Sequence, residues 1–139
     1  MSNLFGTKIE GITWWTSLGV FECFMKAAIP YLEKSCPSMA EEFQSEFNYF
    51  TGMGLYTKLM TVEEEKHVLE ALKYVYRDKT NEIGQLPDAS WDKSYLTKTL
   101  PHFRELIAMI EEEVRDIERG KLIVQEDGSA IVNENFKEE

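Results

Sequence analysis

Apolar residues recur at intervals of three and four over most of this 139-residue chain, and that spacing constrains the fold more than any other feature. The clearest run lies between Pro101 and Gly120, and its apolar members are Phe103, Leu106, Ile107, Ile110, Val114 and Ile117. Residues spaced in this way share one face of a helix. Because proline favours the first turn and glycine the position after the last, the run predicts an amphipathic helix that starts at Pro101 and stops at Gly120.

Two earlier segments predict helices that meet at Cys36-Pro37. Thr16 or Ser17 can cap the first helix, because a hydroxyl oxygen accepts a hydrogen bond from the free N–H groups of the first turn. The apolar stripe extends past Pro30, which lacks a backbone donor, so we expect a kink or a restart there. Cys36-Pro37 then opens the second helix, since proline suits a first turn.

A capping box predicts the start of a third helix. Thr61 and Glu64 are three residues apart, so each side chain can bond the backbone N–H of the other residue. The apolar spacing continues to about Asp78. Residues 80–92 contain asparagine, glycine, proline and aspartate, and they predict a loop before the helix that starts at Pro101.

The chain beyond Gly120 changes from helical to strand-like spacing. Asp127-Gly128 lies between two apolar, β-branched runs, residues 121–126 and 129–133, and is typical of a two-residue hairpin turn. Such a turn would pair Val124 with Ile131. Since a lone hairpin is only marginally stable in water, we expect it to rest on the helices, on an N-terminal strand or on another chain.

The predicted fold class is mainly α, of the α+β type. It has about four helices, the C-terminal hairpin and a candidate short strand at residues 7–14, where β-branched residues alternate loosely with polar ones. Residues 1–139 are long enough for one globular domain with a substantial core. The acidic segment 133–139 is expected to fray.

Acidic residues outnumber basic ones by 25 to 15, which gives a formal charge of −10. This charge repels nucleic acid phosphates and anionic lipid, whereas it attracts a basic partner and speeds its approach. We therefore expect no direct nucleic-acid binding.

The chain also lacks the sequence features of membrane or secreted proteins. No apolar run approaches the roughly 20 residues of a membrane helix, and residues 1–11 lack the apolar centre of a signal peptide. Cys23 and Cys36 do not form a C-x-x-C motif. The sequence predicts a cytoplasmic protein with two reduced thiols and no membrane partner.

The search for a metal or catalytic motif yields one weak candidate. Of the two histidines, His67 and His102, only the first follows a glutamate at helical spacing, as Glu64-x-x-His67. That pair is half of a di-iron carboxylate site, which requires a second such pair on a facing helix. We interpret His67 as an exposed side chain and expect no bound metal.

Clusters of acids are interpreted as solvated helix faces, at Glu41-Glu42, Glu63–Glu65 and Glu111–Glu113. Acid–base catalysis needs two converging carboxylates with separated pKa values, and the spacing singles out no such pair. No nucleotide-binding, phosphate-binding or nucleophile motif occurs. The sequence therefore predicts a protein that is not an enzyme and uses no cofactor.

One group of residues favours a binding surface. Trp91 is accompanied by Asp88, Asp92 and Tyr95, which sets an aromatic side chain among carboxylates. Aromatic anchors with charged neighbours are typical of interface hot spots, here facing a basic patch. The alternative is that Trp91 packs its own loop onto the helices.

In overall character, over the whole chain, this sequence resembles the immunity proteins of bacterial toxin systems, such as those of contact-dependent growth inhibition. The shared features are small size, acidity, the lack of a catalytic set and aromatic residues beside acids. The resemblance implies a protein that binds a cognate toxin domain, often a basic nuclease, and blocks its active site or its substrate's approach. The alternatives are a phage-encoded acidic inhibitor that mimics nucleic acid, and a cytoplasmic adaptor or regulatory subunit.

Overall fold

The computed structural model describes residues 2–49 and 54–137, and four helices account for most of these residues. They are α1 Leu18–Ser35, α2 Pro37–Tyr49, α3 Val62–Ile83 and α4 Trp91–Glu118. The strands are β1 Ser2–Gly6, β2 Thr13–Ser17, β3 Leu55–Tyr56, β4 Leu122–Val124 and β5 Ala130–Val132, and a 3-10 helix at Thr57–Leu59 precedes α3. The predicted mainly α fold with a C-terminal hairpin and an N-terminal strand is confirmed.

The first and third helices begin where their capping residues predict. The Ser17 hydroxyl accepts a hydrogen bond from the backbone N–H of Val20, and Thr61 and Glu64 form the reciprocal capping box. No restart occurs at Pro30, because α1 continues through it to Ser35. The proline side chain is exposed, and the buried residues around it (Ala28, Ile29 and Leu32) outweigh the missing hydrogen bond, which costs about 3 kcal/mol.

The predicted loop at residues 80–92 is wrong at both ends. Helix α3 continues to Ile83, and α4 begins at Trp91. The Ser90 hydroxyl caps α4 by accepting a hydrogen bond from the backbone N–H of Lys93 at 3.2 Å. The connection is therefore only residues 84–90.

The predicted helix start at Pro101 is also wrong, because Pro101 lies inside α4 with its ring exposed. Two threonines in the turn before it donate their hydroxyls to backbone carbonyls: Thr97 to Lys93 at 2.7 Å and Thr99 to Tyr95 at 2.8 Å. Such bonds can bend a helix, and they do not replace the donor that Pro101 lacks, which would have bonded the Thr97 carbonyl. Ser90, not Pro101, sets the helix start.

The N-terminal sheet has the order β2-β1-β3, with β1 antiparallel to β2 and parallel to β3. The strand predicted at residues 7–14 is misplaced, since residues 7–12 connect β1 to β2. Thr7 closes this connection: its backbone N–H and its hydroxyl both donate to the carbonyl of Ile12. Gly11 supplies a left-handed backbone conformation there, with φ of +87°.

The core is a continuous cluster of aromatic and aliphatic side chains from the four helices and the sheet. Helix α1 packs against α2 and α3, and α3 packs against α4. Phe24 stacks on Phe103 with ring centroids 4.2 Å apart, which joins α1 to α4. Phe5 meets Phe43 edge-on at 6.4 Å, which joins the sheet to α2.

The C-terminal hairpin exists, but its predicted register is wrong by one residue. Val124 pairs with Ala130, and Ile123 with Ile131. The turn spans three residues rather than two: Gln125 accepts a hydrogen bond from the backbone N–H of Gly128 and donates one to the carbonyl of Ser129. With φ of +89°, Gly128 takes the left-handed position of a three-residue hairpin loop.

The hairpin rests on the N-terminal half of the chain. The backbone N–H of Ala130 donates to the carbonyl of Lys8 at 2.9 Å, and Leu122 and Ala130 are buried. Gly128 lies so close to Lys58 that a Cβ atom there would be 1.9 Å from its carbonyl oxygen. Residues 133–137 fold back towards the end of α4, where the Arg119 guanidinium lies over the Phe136 ring.

We expect Gly128→Ala to destabilise the protein more than Gly120→Ala. Both glycines have positive φ, so each alanine is strained by roughly 1–2 kcal/mol. At Gly120 the added Cβ meets nothing within 4 Å, whereas at Gly128 it collides with Lys58 and adds about 1–3 kcal/mol of overpacking. Urea unfolding of both variants measures the difference, and equal losses would show that this close approach does not hold the hairpin.

Candidate functional site

The residues singled out from the sequence lie together at the start of α4 and just before it. Trp91 is the first residue of the helix and is 73% exposed. Its ring stacks on Tyr95, one turn later, with centroids 5.0 Å apart and an interplanar angle of 20°. The pair therefore forms a flat aromatic surface on a helix rather than at a loop tip.

Tyr95 fixes this surface to the body of the protein. Its side chain is partly buried and its hydroxyl lies near Gly19 of α1. Burial, and then the nearby Cys23, raise the pKa of the Tyr95 hydroxyl. Trp91 thus stacks on a ring that is itself held in place, and its exposed face remains available.

The two aspartates of the group differ in their availability. The Asp88 carboxylate bonds the Lys93 ammonium at 2.6 Å, and that hydrogen bond with its charge lowers the pKa of Asp88. Asp92 is exposed in the first turn of α4, where the helix dipole favours a negative charge. Asp92 is therefore the less neutralised of the two charges beside Trp91.

A further exposed tryptophan lies along the same side of α4. Strand β2 alternates, so Trp14 is 3% exposed while Trp15 is 59% exposed. His102 links the strand to the helix: its ring stacks on Trp14, and its Nε2 lies 2.8 Å from the carbonyl of Trp15. His102 lies three helical turns along α4 from Trp91, roughly 16 Å, so the backbone of Trp15 is within the span of one interface of ordinary size from Trp91.

A second polar group is buried beneath the hairpin, and the sequence analysis missed it. Lys8 is 1% exposed, and its ammonium donates to the carbonyls of Thr57 at 2.5 Å and Met60 at 2.7 Å. It also lies 3.4 Å from a carboxylate oxygen of Glu65. Glu113 accepts from the backbone N–H of Lys8 at 2.9 Å and from the Thr57 hydroxyl at 2.6 Å.

The surroundings of Glu65 favour its protonated form. Among the described residues, neither oxygen of the ionised side chain has a hydrogen-bond donor in suitable geometry. Burial, a hydrogen bond with Glu113 and the charge of Glu113 raise the pKa of Glu65 to about 9, although Lys8 acts to lower it. The raised pKa favours the protonated form of Glu65 at neutral pH.

This group joins elements of the fold. Lys8, Glu65, Thr57 and Glu113 are all at most 4% exposed, and their contacts link the N-terminal segment to the 3-10 helix, α3 and α4. The interpretation of the acid clusters as solvated faces is wrong for Glu65 and Glu113. The available signal was periodicity, because both glutamates fall on apolar stripes of their helices.

The structure gives Glu64 a structural partner. Its carboxylate accepts from the backbone N–H of Thr61 and from the Ser38 hydroxyl, while His67 is exposed. In residues 2–49 and 54–137, no group of three or more histidine, cysteine, aspartate or glutamate side chains is placed to hold a metal ion. Over the same ranges, no helix is both long and apolar enough to cross a membrane.

Comparisons of the chain with protein-family models, curated proteins and solved structures found no match. Its function must therefore be inferred from its own geometry and charge.

We expect Glu65→Gln to reveal the proton on Glu65 through a pH-dependent stability difference. Because the folded pKa is about 9 and the unfolded pKa is about 4.3, only the folded protein holds this proton between those values. Its stabilising effect is complete below the unfolded pKa and is lost as pH rises towards 9. The unfolding free energy of the natural protein should fall relative to Glu65→Gln by up to about 1.4 kcal/mol per pH unit.

Urea unfolding at pH 6, 7 and 8 measures this difference. The control is Glu64→Gln, since the backbone hydrogen bond from Thr61 lowers the pKa of Glu64, leaving it ionised throughout this range. Its stability curve should run parallel to that of the natural protein. A parallel curve for Glu65→Gln as well would show that Glu65 is ionised in the folded state.

We also expect substitutions of Trp14 and Trp91 to differ in their effect on stability, because Trp14 is part of the core and Trp91 is not. Trp14→Ala should cost about 3–5 kcal/mol, because it removes a buried ring whose indole N–H donates to the carbonyl of His102. Trp91→Ala should change the unfolding free energy by less than about 1 kcal/mol, since the side chain is mostly in water. A large loss of stability for Trp91→Ala would mean that Trp91 serves the fold.

Proposed function

We propose that this chain is a non-catalytic binding protein, an immunity protein that neutralises a basic bacterial toxin domain in the cytoplasm. The observation that carries the proposal is the exposed Trp91 ring, stacked on Tyr95 at a capped helix start. Tryptophan and tyrosine are enriched at the centres of interfaces, where they contribute much of the binding energy. A tryptophan held rigidly in water has a lower entropic cost of binding than one on a mobile loop.

The charge of the chain supports a basic partner. A formal charge of −10 favours the approach of a cationic domain and opposes the approach of nucleic acid. Asp92 lies beside Trp91 and can meet a cation at the contact itself. In this mechanism the acids steer the toxin domain to the surface, the aromatic pair is then buried, and the bound chain blocks the toxin's active site.

The arrangement of acids on the long helices supports a protein inhibitor over a mimic of nucleic acid. Along the α3–α4 face, Lys66 bonds Glu118 at 3.1 Å and Lys73 bonds Glu111 at 3.0 Å. A mimic would present an extended, uninterrupted row of negative charge, but lysines interrupt this one.

Co-expression tests the proposal directly. The toxic candidate is the C-terminal domain encoded by a neighbouring gene, produced with and without this chain. We expect the domain to be toxic alone and harmless with the chain, and purified proteins to form a complex. A domain that is harmless alone, or equally toxic with the chain present, would contradict the immunity function.

Trp91→Ala then tests the surface. We expect it to weaken binding by at least roughly 2 kcal/mol, mainly through faster dissociation. The control is Tyr49→Ala, which removes an aromatic side chain of similar exposure, 75%, from the end of α2. If Trp91→Ala protected the cell from the toxin domain as well as the natural protein does, the chain would still be an inhibitor, but the Trp91 surface would not be the one that binds the toxin domain.

A further inference from the structure

A cleft of about 330 Å³ lies on the surface between the start of α2, the 3-10 helix and the start of α3. Its lining residues are Ser38, Met39, Glu42, Gly54, Leu55, Tyr56, Leu59, Met60 and Glu64. This surface is made by different helix ends from those that carry Trp91 and Tyr95. Binding at this cleft is therefore independent of binding at the Trp91 surface.

One part of the cleft is apolar. Met39, Leu55 and Met60 are buried in its floor, and Leu59 is 74% exposed at the 3-10 helix. An exposed leucine beside two methionines suits contact with an aliphatic chain, because methionine adapts its shape to what it contacts. The cleft can therefore bury a stem of several methylene groups.

The polar part of the lining is negatively charged. The Glu64 carboxylate is fixed by the backbone N–H of Thr61 and by the Ser38 hydroxyl, and the first of these bonds is the main cause of its lowered pKa. Glu42 is exposed and has no hydrogen-bond or ion-pair partner among the described residues. Since the described lining includes no lysine, arginine or histidine, its charge complements that of a cation.

We propose that this cleft binds the side chain of a lysine from a basic polypeptide. Lysine combines a four-carbon stem with a compact charge, and it commonly buries the stem while its ammonium stays at the surface. The stem would lie along Met39, Met60 and Leu59, and the ammonium would lie at Glu42 and Glu64. The free lone pairs of both carboxylates can accept its hydrogen bonds.

The test uses the full chain, labelled with ¹⁵N and titrated with Nα-acetyl-lysine methylamide. We expect saturable shifts of the amide signals of Leu59, Met60 and Ser38. The matched ligand is the norleucine derivative, which has the stem without the ammonium and should bind about tenfold more weakly, equivalent to 1.4 kcal/mol. Equal binding of the two ligands, or shifts confined to other parts of the chain, would overturn the proposal.

Glu42→Gln provides the second arm, with Glu41→Gln as its control. Both glutamates are exposed on α2, but only Glu42 lines the cleft. Glu42→Gln should weaken binding by about fivefold, the contribution of one partly exposed ion pair. Glu41→Gln should leave it unchanged. Equal losses in the two variants would show only attraction to the overall negative charge and would contradict the proposal. The corresponding arginine derivative is a third ligand, and binding as tight as that of the lysine derivative, or tighter, would contradict the assignment to lysine.

Discussion

Lys8, through its buried ammonium and its backbone, joins parts of this structure that are distant in sequence. Its side chain bonds two carbonyls of the 3-10 segment, Thr57 and Met60, and approaches Glu65 on α3. Its backbone N–H reaches Glu113 on α4, and its carbonyl accepts from Ala130 in the hairpin. Removing one member of such a buried group leaves the others without their partner and typically costs about 3–5 kcal/mol. The sheet, two helices and the hairpin therefore depend on one residue.

This arrangement separates the charges that hold the fold from the groups that are free to bind. The raised pKa of Glu65 favours its protonated form, so less negative charge has to be compensated around the buried Lys8 ammonium. The other acids lie mostly outside and give the chain its negative field. Against that field, the exposed rings of Trp91 and Trp15 and the cleft at Leu59 are among the apolar features that a partner can cover. Specificity would come from these features, and rapid association from the field.

Local chemistry made the helices predictable, whereas the contacts between distant segments were not. Ser17 and the Thr61–Glu64 box mark helix starts, because a cap acts within three residues. The same reasoning failed at Pro101, where burial of the surrounding helix prevails over the local cost of proline. The hairpin register was missed because a three-residue turn and a two-residue turn both suit Asp127-Gly128. The Lys8 group joins residues that are 49 to 105 positions apart, which no local pattern reveals, although periodicity placed both glutamates on buried faces. The group at Trp91 was predictable as a cluster in sequence, but its helical setting and the ion pair of Asp88 were not.

Hydrogen exchange of Lys8→Met tests most directly whether this ammonium holds the structure together. Methionine keeps most of the apolar stem and removes the charge. We expect the amides of Ala130 and Met60 to lose most of their protection, and the unfolding free energy to fall by about 3–5 kcal/mol. The reason is that the carbonyls of Thr57 and Met60 and the carboxyl of Glu65 would then lie in the core without the ammonium. If Lys8→Met retained the protection of both amides and the stability of the natural protein, the ammonium would not be what joins these elements.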